Sequence, residues 1–177
     1  SGTCTILYDQ ASNILYRYIS SSKSYKRVSN VIDKLNGSRY YFYDANGNRR
    51  TSSGWKKVNG STAYYVCDGG YVTSRYTDQK GTKKVYDFDY SKNTWVQKKN
   101  MWKTVYRSRY YFGSKGVATM SYNNSTKKAY KFTGRKWKPA KKLIMKIGNA
   151  NYYFNSAAKR VVKAGKYKTA DGYIAYV

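Results

Sequence analysis

Residues 110–116 are Tyr110-Tyr111-Phe112-Gly113-Ser114-Lys115-Gly116, an aromatic triplet followed by a turn that two glycines enclose. Aromatic clusters of this kind recur along the chain: Tyr16-Arg17-Tyr18, Tyr40-Tyr41-Phe42, Tyr64-Tyr65-Val66, Tyr86-Asp87-Phe88, Tyr130-Lys131-Phe132 and Tyr152-Tyr153-Phe154. Counted between their first tyrosines, the steps are 24, 24, 22, 24, 20 and 22 residues. A repeat this short cannot bury a core alone, so successive repeats must stack. The sequence therefore predicts a repeat array.

The composition of each repeat favours strands and tight turns. The chain has no Glu and only four Leu, two residues that commonly build helices, whereas its many Tyr, Val and Thr residues favour strands. Asn46-Gly47 and Gly69-Gly70 follow aromatic clusters, and glycine there supplies the positive φ of a hairpin turn. The predicted fold class is all-β, a solenoid-like array of stacked β-hairpins, with two or three small β-barrels as the alternative.

The predicted organisation is one array over residues 1–177, with about seven or eight hairpins of one repeat each. Pro139 is the single proline, and no long Gly/Ser or charged run offers a linker. No run of apolar residues approaches the roughly 20 residues of a membrane span. Ser1-Gly2 lacks the character of a signal peptide, so we expect that an export signal has been removed.

The charge balance is the strongest functional signal in the composition. Thirty-five Lys and Arg stand against eight Asp, which gives a formal net charge of +27. Such a chain attracts polyanions. The mean hydropathy of −0.83 would suit a disordered chain, but 23 Tyr and 41% hydrophobic residues predict a folded one.

Catalysis is not expected. There is no His for a Ser-His or Cys-His pair, and the carboxylates are all Asp, most of them in turns where Asp usually caps its own backbone. Asp87 and Asp89 lie two apart in a strand, where neutralising nearby lysines is the preferred role over acid–base chemistry. We predict a non-catalytic protein with no catalytic residue, no cofactor and no metal site.

Cys4 and Cys67 are the only cysteines. Without His or a third thiol they cannot complete the usual four-ligand zinc site. A disulfide between them in an exported protein and two separate thiols are both compatible with the sequence.

Aromatic rings and cations alternate in the segments between clusters. Gly54-Trp55-Lys56-Lys57 and Arg135-Lys136-Trp137-Lys138 each place an indole beside several positive charges. A ring of this kind can stack on a sugar or base, and the cations can pair with phosphate or carboxylate. Equally, the tryptophans can fill the space between hairpins while the lysines face solvent. For the Tyr-Tyr-Phe positions we expect at least one ring of each triplet in the core, because alternate strand residues point to opposite faces.

The segment from Gly54-Trp55 through Val58 and Gly60 to Tyr64-Tyr65-Val66, followed by Asp68-Gly69-Gly70, resembles a known repeat. It is similar to the repeats of bacterial choline-binding and glucan-binding cell-wall modules. A weaker resemblance, through Lys146-Ile147-Gly148 and the frequent Lys-Lys pairs, is to the basic anchoring domains of S-layer proteins. These resemblances imply a solenoid of β-hairpins that holds a secreted or cell-surface protein on the cell wall without chemistry.

The slot directly before Tyr-Tyr, which holds Trp in the choline-binding repeats, is here Arg39, Ala63, Arg109 or Asn151. Arginine there favours direct contact with negative groups. We therefore predict attachment to anionic wall polysaccharide or teichoic acid through many weak sites. The predicted ligand-binding residues are Trp55, Trp95, Trp102, Trp137, Arg39, Arg109, Lys56, Lys57, Lys83, Lys84, Lys98, Lys99, Lys127, Lys128, Lys141 and Lys142.

Two other partner classes stay open on the sequence alone. Nucleic acid is the main rival, because so basic a chain binds it non-specifically at low salt. A neutral glucan is the other, since aromatic rings can hold sugars without charge. The unpaired ends of a hairpin stack would also allow a homodimer.

Overall fold

The computed structural model describes residues 5–35, 37 and 39–177, and antiparallel strands dominate it. One short 3-10 turn, Ser20–Ser22, lies between strands, and these ranges contain no α-helix. The strands are β1 (Ile6–Asp9), β2 (Ile14–Ile19), β3 (Ser24–Arg27), β4 (Val31–Leu35), β5 (Arg39–Tyr43), β6 (Gly54–Lys57), β7 (Thr62–Val66), β8 (Val72–Gln79), β9 (Thr82–Asp89), β10 (Thr94–Gln97), β11 (Met101–Val105), β12 (Ser108–Phe112), β13 (Ala118–Asn123), β14 (Ala129–Phe132), β15 (Trp137–Pro139), β16 (Leu143–Ile147), β17 (Ala150–Phe154), β18 (Lys166–Lys168) and β19 (Ile174–Tyr176).

The strands pair with their neighbours in sequence to form small open sheets. The orders are β1-β2-β3, β4-β5, β10-β9-β8-β7-β6, β11-β12-β13-β14-β15, β16-β17 and β18-β19. The predicted all-β fold of β-hairpins is therefore confirmed. The alternative of small barrels does not describe the fold, because none of these sheets, within the described residues, closes on itself.

Three hairpins share one register. Within β6–β7, β11–β12 and β16–β17, the middle aromatic residue of the triplet lies opposite a Trp or Ile: Trp55 and Tyr65, Trp102 and Tyr111, Ile144 and Tyr153. The third residue of each triplet points inward and is fully buried: Val66, Phe112 and Phe154. The prediction that each triplet contributes at least one core residue is confirmed for these hairpins.

The turns after four triplets also match one another. In each, the amide of the fourth residue donates to the carbonyl of the first: Gly47 to Asp44 (3.0 Å), Gly70 to Cys67 (2.9 Å), Gly116 to Gly113 (2.8 Å) and Ala158 to Asn155 (2.9 Å). The fourth residue has a positive φ in all four turns, between 57° and 82°. Glycine adopts this conformation without strain, which explains why three of the four positions hold it.

The chain divides into two compact units. The first contains the described residues up to Thr77 together with Tyr86–Val96, and the second contains Asp78–Val85 and Gln97–Val177. The first unit has two buried clusters, one around Leu15 and Tyr43 and one around Phe42, Val66 and Val72. The second unit has a buried cluster that includes Tyr122, Met145 and Phe154. A single array over residues 1–177 stays a prediction.

Residues 5–35, 37 and 39–177 contain no helix that is long and apolar enough to cross a membrane.

Candidate anion-binding surface

All four tryptophans are half-buried in aromatic clusters rather than exposed. Trp95 in the first unit packs against Phe88, Tyr64 and Tyr40, with ring centroids 5.0, 5.8 and 6.2 Å away. Trp55 packs edge-on against Tyr65, at 5.5 Å. These indoles fill space between strands, so each has part of its surface against another ring.

The two tryptophans of the second unit show the same packing. Trp137 lies 5.3 Å from Phe132 and 6.0 Å from Tyr110, and its Nε1 donates to the Gly81 carbonyl at 3.0 Å. Trp102 lies 5.5 Å from Tyr111. The Trp137 N–H is already hydrogen-bonded, and both indoles pack against other aromatic rings. Both tryptophans therefore contribute to the packing of the second unit.

Cations stacked on aromatic rings are a recurring feature that the sequence analysis missed. The Cζ atom of Arg49 lies 4.0 Å from the Tyr41 centroid, and that of Arg160 lies 5.1 Å from the Tyr152 centroid. Both arginines follow their tyrosine by eight residues, a spacing that could have revealed them. The planar guanidinium suits this stacking, which a lysine would reproduce less well.

The two arginines that replace the Trp of the repeat differ in exposure. Arg39 is exposed, with Cζ 4.4 Å from the Tyr71 centroid. Arg109 is half-buried, with Cζ 5.9 Å from the Trp102 centroid. Of the two, Arg39 is therefore better placed to meet a ligand.

The predicted lysines separate into a half-buried group and an exposed group. The half-buried lysines are Lys56, Lys83, Lys84 and Lys98. Lys83 forms an ion pair with Asp78 and lies 5.8 Å from the Trp137 centroid and 5.9 Å from that of Tyr110. Its charge is thus already engaged within the second unit. The exposed lysines are Lys57, Lys99, Lys127, Lys128, Lys141 and Lys142.

Four of the exposed lysines lie in neighbouring segments of the second unit, and we call them the lysine patch: Lys127, Lys128, Lys141 and Lys142. Backbone hydrogen bonds join these segments around buried Ala129. The Ala140 amide donates to the Ala129 carbonyl at 2.9 Å, and the Ala129 amide donates to the Ala158 carbonyl at 2.9 Å. Lys128 also forms a β-bridge with exposed Lys159.

Several carboxylates accept hydrogen bonds from nearby backbone and side-chain groups. Oδ1 of Asp44 accepts from the amides of Asn46 and Asn48, at 2.8 and 3.0 Å. Hydrogen bonds from Ser12 and Ala11 lower the pKa of Asp9. Asp87 accepts from Ser74 Oγ at 2.7 Å. Hydrogen bonds within turns and between strands therefore give these carboxylates a structural role.

In the part of the chain that the structure describes, no group of three His, Cys, Asp or Glu residues is arranged to hold an ion. The hypothesis of a Cys4–Cys67 disulfide involves Cys4, which lies outside the described residues.

A shallow groove lies around Arg39, and the sequence analysis did not predict it. It has a volume of ≈ 360 Å³ and is lined by Gly37, Arg39, Tyr71, Tyr90 and Asn93. Only Arg39 carried a signal in the sequence, as the residue that replaces Trp before Tyr-Tyr. Its partners come from separate turns, which no local pattern connects.

No family model matches this chain, and no curated protein matches it. Solved structures do match over most of its length. Alternansucrase in complex with isomaltononaose matches 98% of this chain at 17% identity and a TM-score of 0.34. The modular autolysin LytC from Streptococcus pneumoniae matches 97% at 14% identity and 0.28. Choline binding protein F from the same organism, in the presence of a peptidoglycan analogue, matches 97% at 21% identity and 0.27. The matches span 14%, 42% and 55% of those three chains, respectively.

Proposed function

We propose that this chain is a non-catalytic module that attaches a secreted or cell-surface protein to anionic cell-wall polymers such as teichoic acids. Attachment is multivalent: exposed Lys and Arg side chains pair with the polymer's negative groups, and aromatic rings contribute short contacts beside them. Each contact is weak, and a long polymer engages several at once.

The observation that carries this proposal is the positive charge that the fold leaves uncompensated. If every Asp neutralised one cation, a net charge of +27 would still remain. Several carboxylates are also committed to turns or to single ion pairs, as Asp44 is with Arg50 at 2.9 Å. The exposed lysines are thus available to a partner that brings its own negative charge.

The packing of the indoles favours an anionic polymer over a neutral glucan. Sugars that bind without charge need open aromatic faces. Among the described residues, none of the tryptophans is fully exposed, and each has a ring against it. We therefore place the main source of affinity in charge pairing by the exposed lysines.

Binding to purified Gram-positive walls tests the proposal. Walls with and without their teichoic acid are incubated with the protein over a salt series, with chromosomal DNA and dextran as competitors. We expect binding that is lost when teichoic acid is removed and weakens as salt rises.

Other results would identify other functions. Binding that persists at high salt and is displaced by dextran would mean a neutral glucan. Displacement of the wall by DNA near physiological ionic strength would mean nucleic acid, because phosphate contacts dominate its affinity. Absence of wall binding at every salt concentration would overturn the proposal.

A further inference from the structure

The groove around Arg39 lies wholly within the first compact unit. Three separate turns build it: Gly37 and Arg39 come from the β4–β5 hairpin, Tyr71 precedes β8, and Tyr90 and Asn93 follow β9. A volume of ≈ 360 Å³ is near the small end of ligand pockets, which suits about one or two sugar units.

Arg39 provides the charge of this groove. Its Cζ atom lies over the Tyr71 ring, 4.4 Å from the centroid, while the residue remains exposed. A guanidinium in this position keeps N–H groups that can donate two parallel hydrogen bonds to an oxyanion. None of the ion pairs that join described residues involves Arg39.

Asn93 and Lys34 add polar groups beside it. The Lys34 ammonium donates to the side-chain oxygen of Asn93, and it lies 5.0 Å from the Tyr40 centroid. Because the Asn93 oxygen is occupied by this bond, its NH₂ group is the part that a ligand oxygen can meet. The groove therefore presents donors, backed by a second positive charge.

The carboxylates next to these residues do not compete for the cations. Asp89 accepts hydrogen bonds from the amide and hydroxyl of Ser91, at 3.0 and 2.6 Å, within its own turn. Asp33, next to Lys34, forms an ion pair with Arg17. The Lys92 ammonium also lies 3.9 Å from Asp89 Oδ2. Each of these two carboxylates therefore has a cationic partner other than Arg39.

The tyrosines supply an apolar wall. The rings of Tyr71 and Tyr90 meet edge to face with centroids 6.1 Å apart, and the Tyr90 hydroxyl donates to the Val72 carbonyl. Burial raises the pKa of Tyr90 to about 12, so the phenol stays neutral at physiological pH. Neutral ring carbons suit the C–H face of a sugar.

We infer that the Arg39 groove binds one anionic unit of the polymer, a sugar or polyol joined to an oxyanion, whose carboxylate or phosphate pairs with the Arg39 guanidinium while its carbon skeleton lies against Tyr71 and Tyr90. This inference rests on the proposed function, because it assigns one defined subsite to the anionic polymer.

Titration of the 177-residue chain with small ligands tests the groove. The ligands are glucuronate and glycerol 3-phosphate, with glucose and inorganic phosphate for comparison, and NMR follows the Arg39 Nε–H and the Asn93 side-chain amide. We expect saturable shifts of these signals with glucuronate or glycerol 3-phosphate, at least about ten-fold tighter than with glucose or inorganic phosphate alone. Which of the two anionic ligands binds tighter distinguishes carboxylate from phosphate recognition.

Two variants make the test specific. Arg39→Ala is expected to weaken binding of the preferred ligand at least about ten-fold, with Arg39→Lys between Ala and wild type. Arg27→Ala, which removes an exposed arginine on β3, is the matched control and should bind as wild type does. Equal binding by Arg39→Ala and wild type, or equal losses in Arg39→Ala and Arg27→Ala, would overturn the inference, provided that urea unfolding shows all variants folded.

Wall binding separates this inference from the proposed function. If wild type binds teichoic-acid-containing walls but no ligand shifts the Arg39 and Asn93 signals, the groove assignment fails and the module remains. If glucuronate shifts those signals in an Arg39-dependent way but the walls do not bind, the groove stands and the proposed function fails.

Discussion

The guanidinium of Arg75 lies over the ring of Tyr86, with Cζ 4.5 Å from the ring centroid and 5.1 Å from that of Trp95. Its Nε is buried and has no hydrogen-bond partner. Arg49 and Arg160 have buried Nε atoms in the same condition, and each is stacked on a tyrosine. In all three, contact with an aromatic face stands where a hydrogen bond would otherwise stabilise the buried group. Part of the positive charge is thus structural.

Replacing Arg75 by Lys tests this structural role. The ammonium keeps the charge but has no plane to lay on Tyr86, so we expect the free energy of unfolding to fall by about 1–2 kcal/mol. Urea denaturation measures it. The same change at exposed Arg27 should alter stability by less than about 0.5 kcal/mol. Equal effects at the two sites would show that stacking on Tyr86 contributes nothing specific.

Gly47 should be the least replaceable turn glycine of the first unit. Its φ is +75°, and an added Cβ would lie 3.1 Å from the Val28 carbonyl oxygen and 3.3 Å from Cγ2 of Ile14. We expect Gly47→Ala to lower the free energy of unfolding by about 2–4 kcal/mol, from backbone strain and crowding together. Gly134→Ala isolates the strain, because Gly134 has φ +86° and open space at the Cβ position. Its expected loss is about 1–2 kcal/mol. Similar losses in both variants would rule out a contribution from crowding.

Local signals in the sequence were sufficient to predict the hairpins. Alternation along a strand places Val66, Phe112 and Phe154 in the core. Gly47, with its positive φ, lies in the turn between the β4–β5 hairpin and the β6–β7 hairpin. Both effects depend on neighbouring residues only, so periodicity and turn residues predict them.

The Arg39 groove could not be predicted in this way. Tyr71, Tyr90 and Asn93 come from turns that packing alone brings to Arg39. Lys83 is a different case: its partner Asp78 lies across the Lys80-Gly81 turn, and the opposite charges that flank this turn could have indicated an ion pair that the sequence analysis did not predict. Exposure of the tryptophans depended on ring packing between strands, which one sequence does not encode locally.

Alkaline pH should destabilise the first unit through Tyr43. Burial raises the pKa of Tyr43 far above its ordinary value of 10.0, and its hydroxyl has no hydrogen-bond partner. A raised pKa in the folded state means that the neutral phenol is favoured there. Its stabilising contribution is therefore complete below pH 10 and declines as the pH rises above that value.

Tyr43→Phe removes this ionisation together with the unpartnered hydroxyl. We expect it to be as stable as wild type or about 1 kcal/mol more stable at pH 8, and to lose less stability between pH 9 and 11. Urea midpoints at each pH measure the difference. Exposed Tyr173→Phe is the control, since lysine deprotonation affects all the proteins alike. Parallel pH profiles for Tyr43→Phe and wild type would exclude Tyr43 as the source of alkaline sensitivity.

The lysine patch should contribute charge rather than shape to wall binding. Its four side chains, Lys127, Lys128, Lys141 and Lys142, are exposed, and backbone hydrogen bonds join their segments within the second unit. Substitution of all four by Gln is expected to weaken binding to teichoic-acid-containing walls at low salt at least about ten-fold, or about 1.4 kcal/mol. It should also flatten the salt dependence, because fewer ion contacts remain to be screened. Substitution of the same four by Arg preserves the charge and should bind within about two-fold of wild type, a difference of about 0.4 kcal/mol. Sedimentation of labelled protein with walls measures all three. Wild-type binding by the Gln variant would remove the patch from the binding surface, and a loss as large in the Arg variant would mean that lysine geometry, not charge, governs the contact.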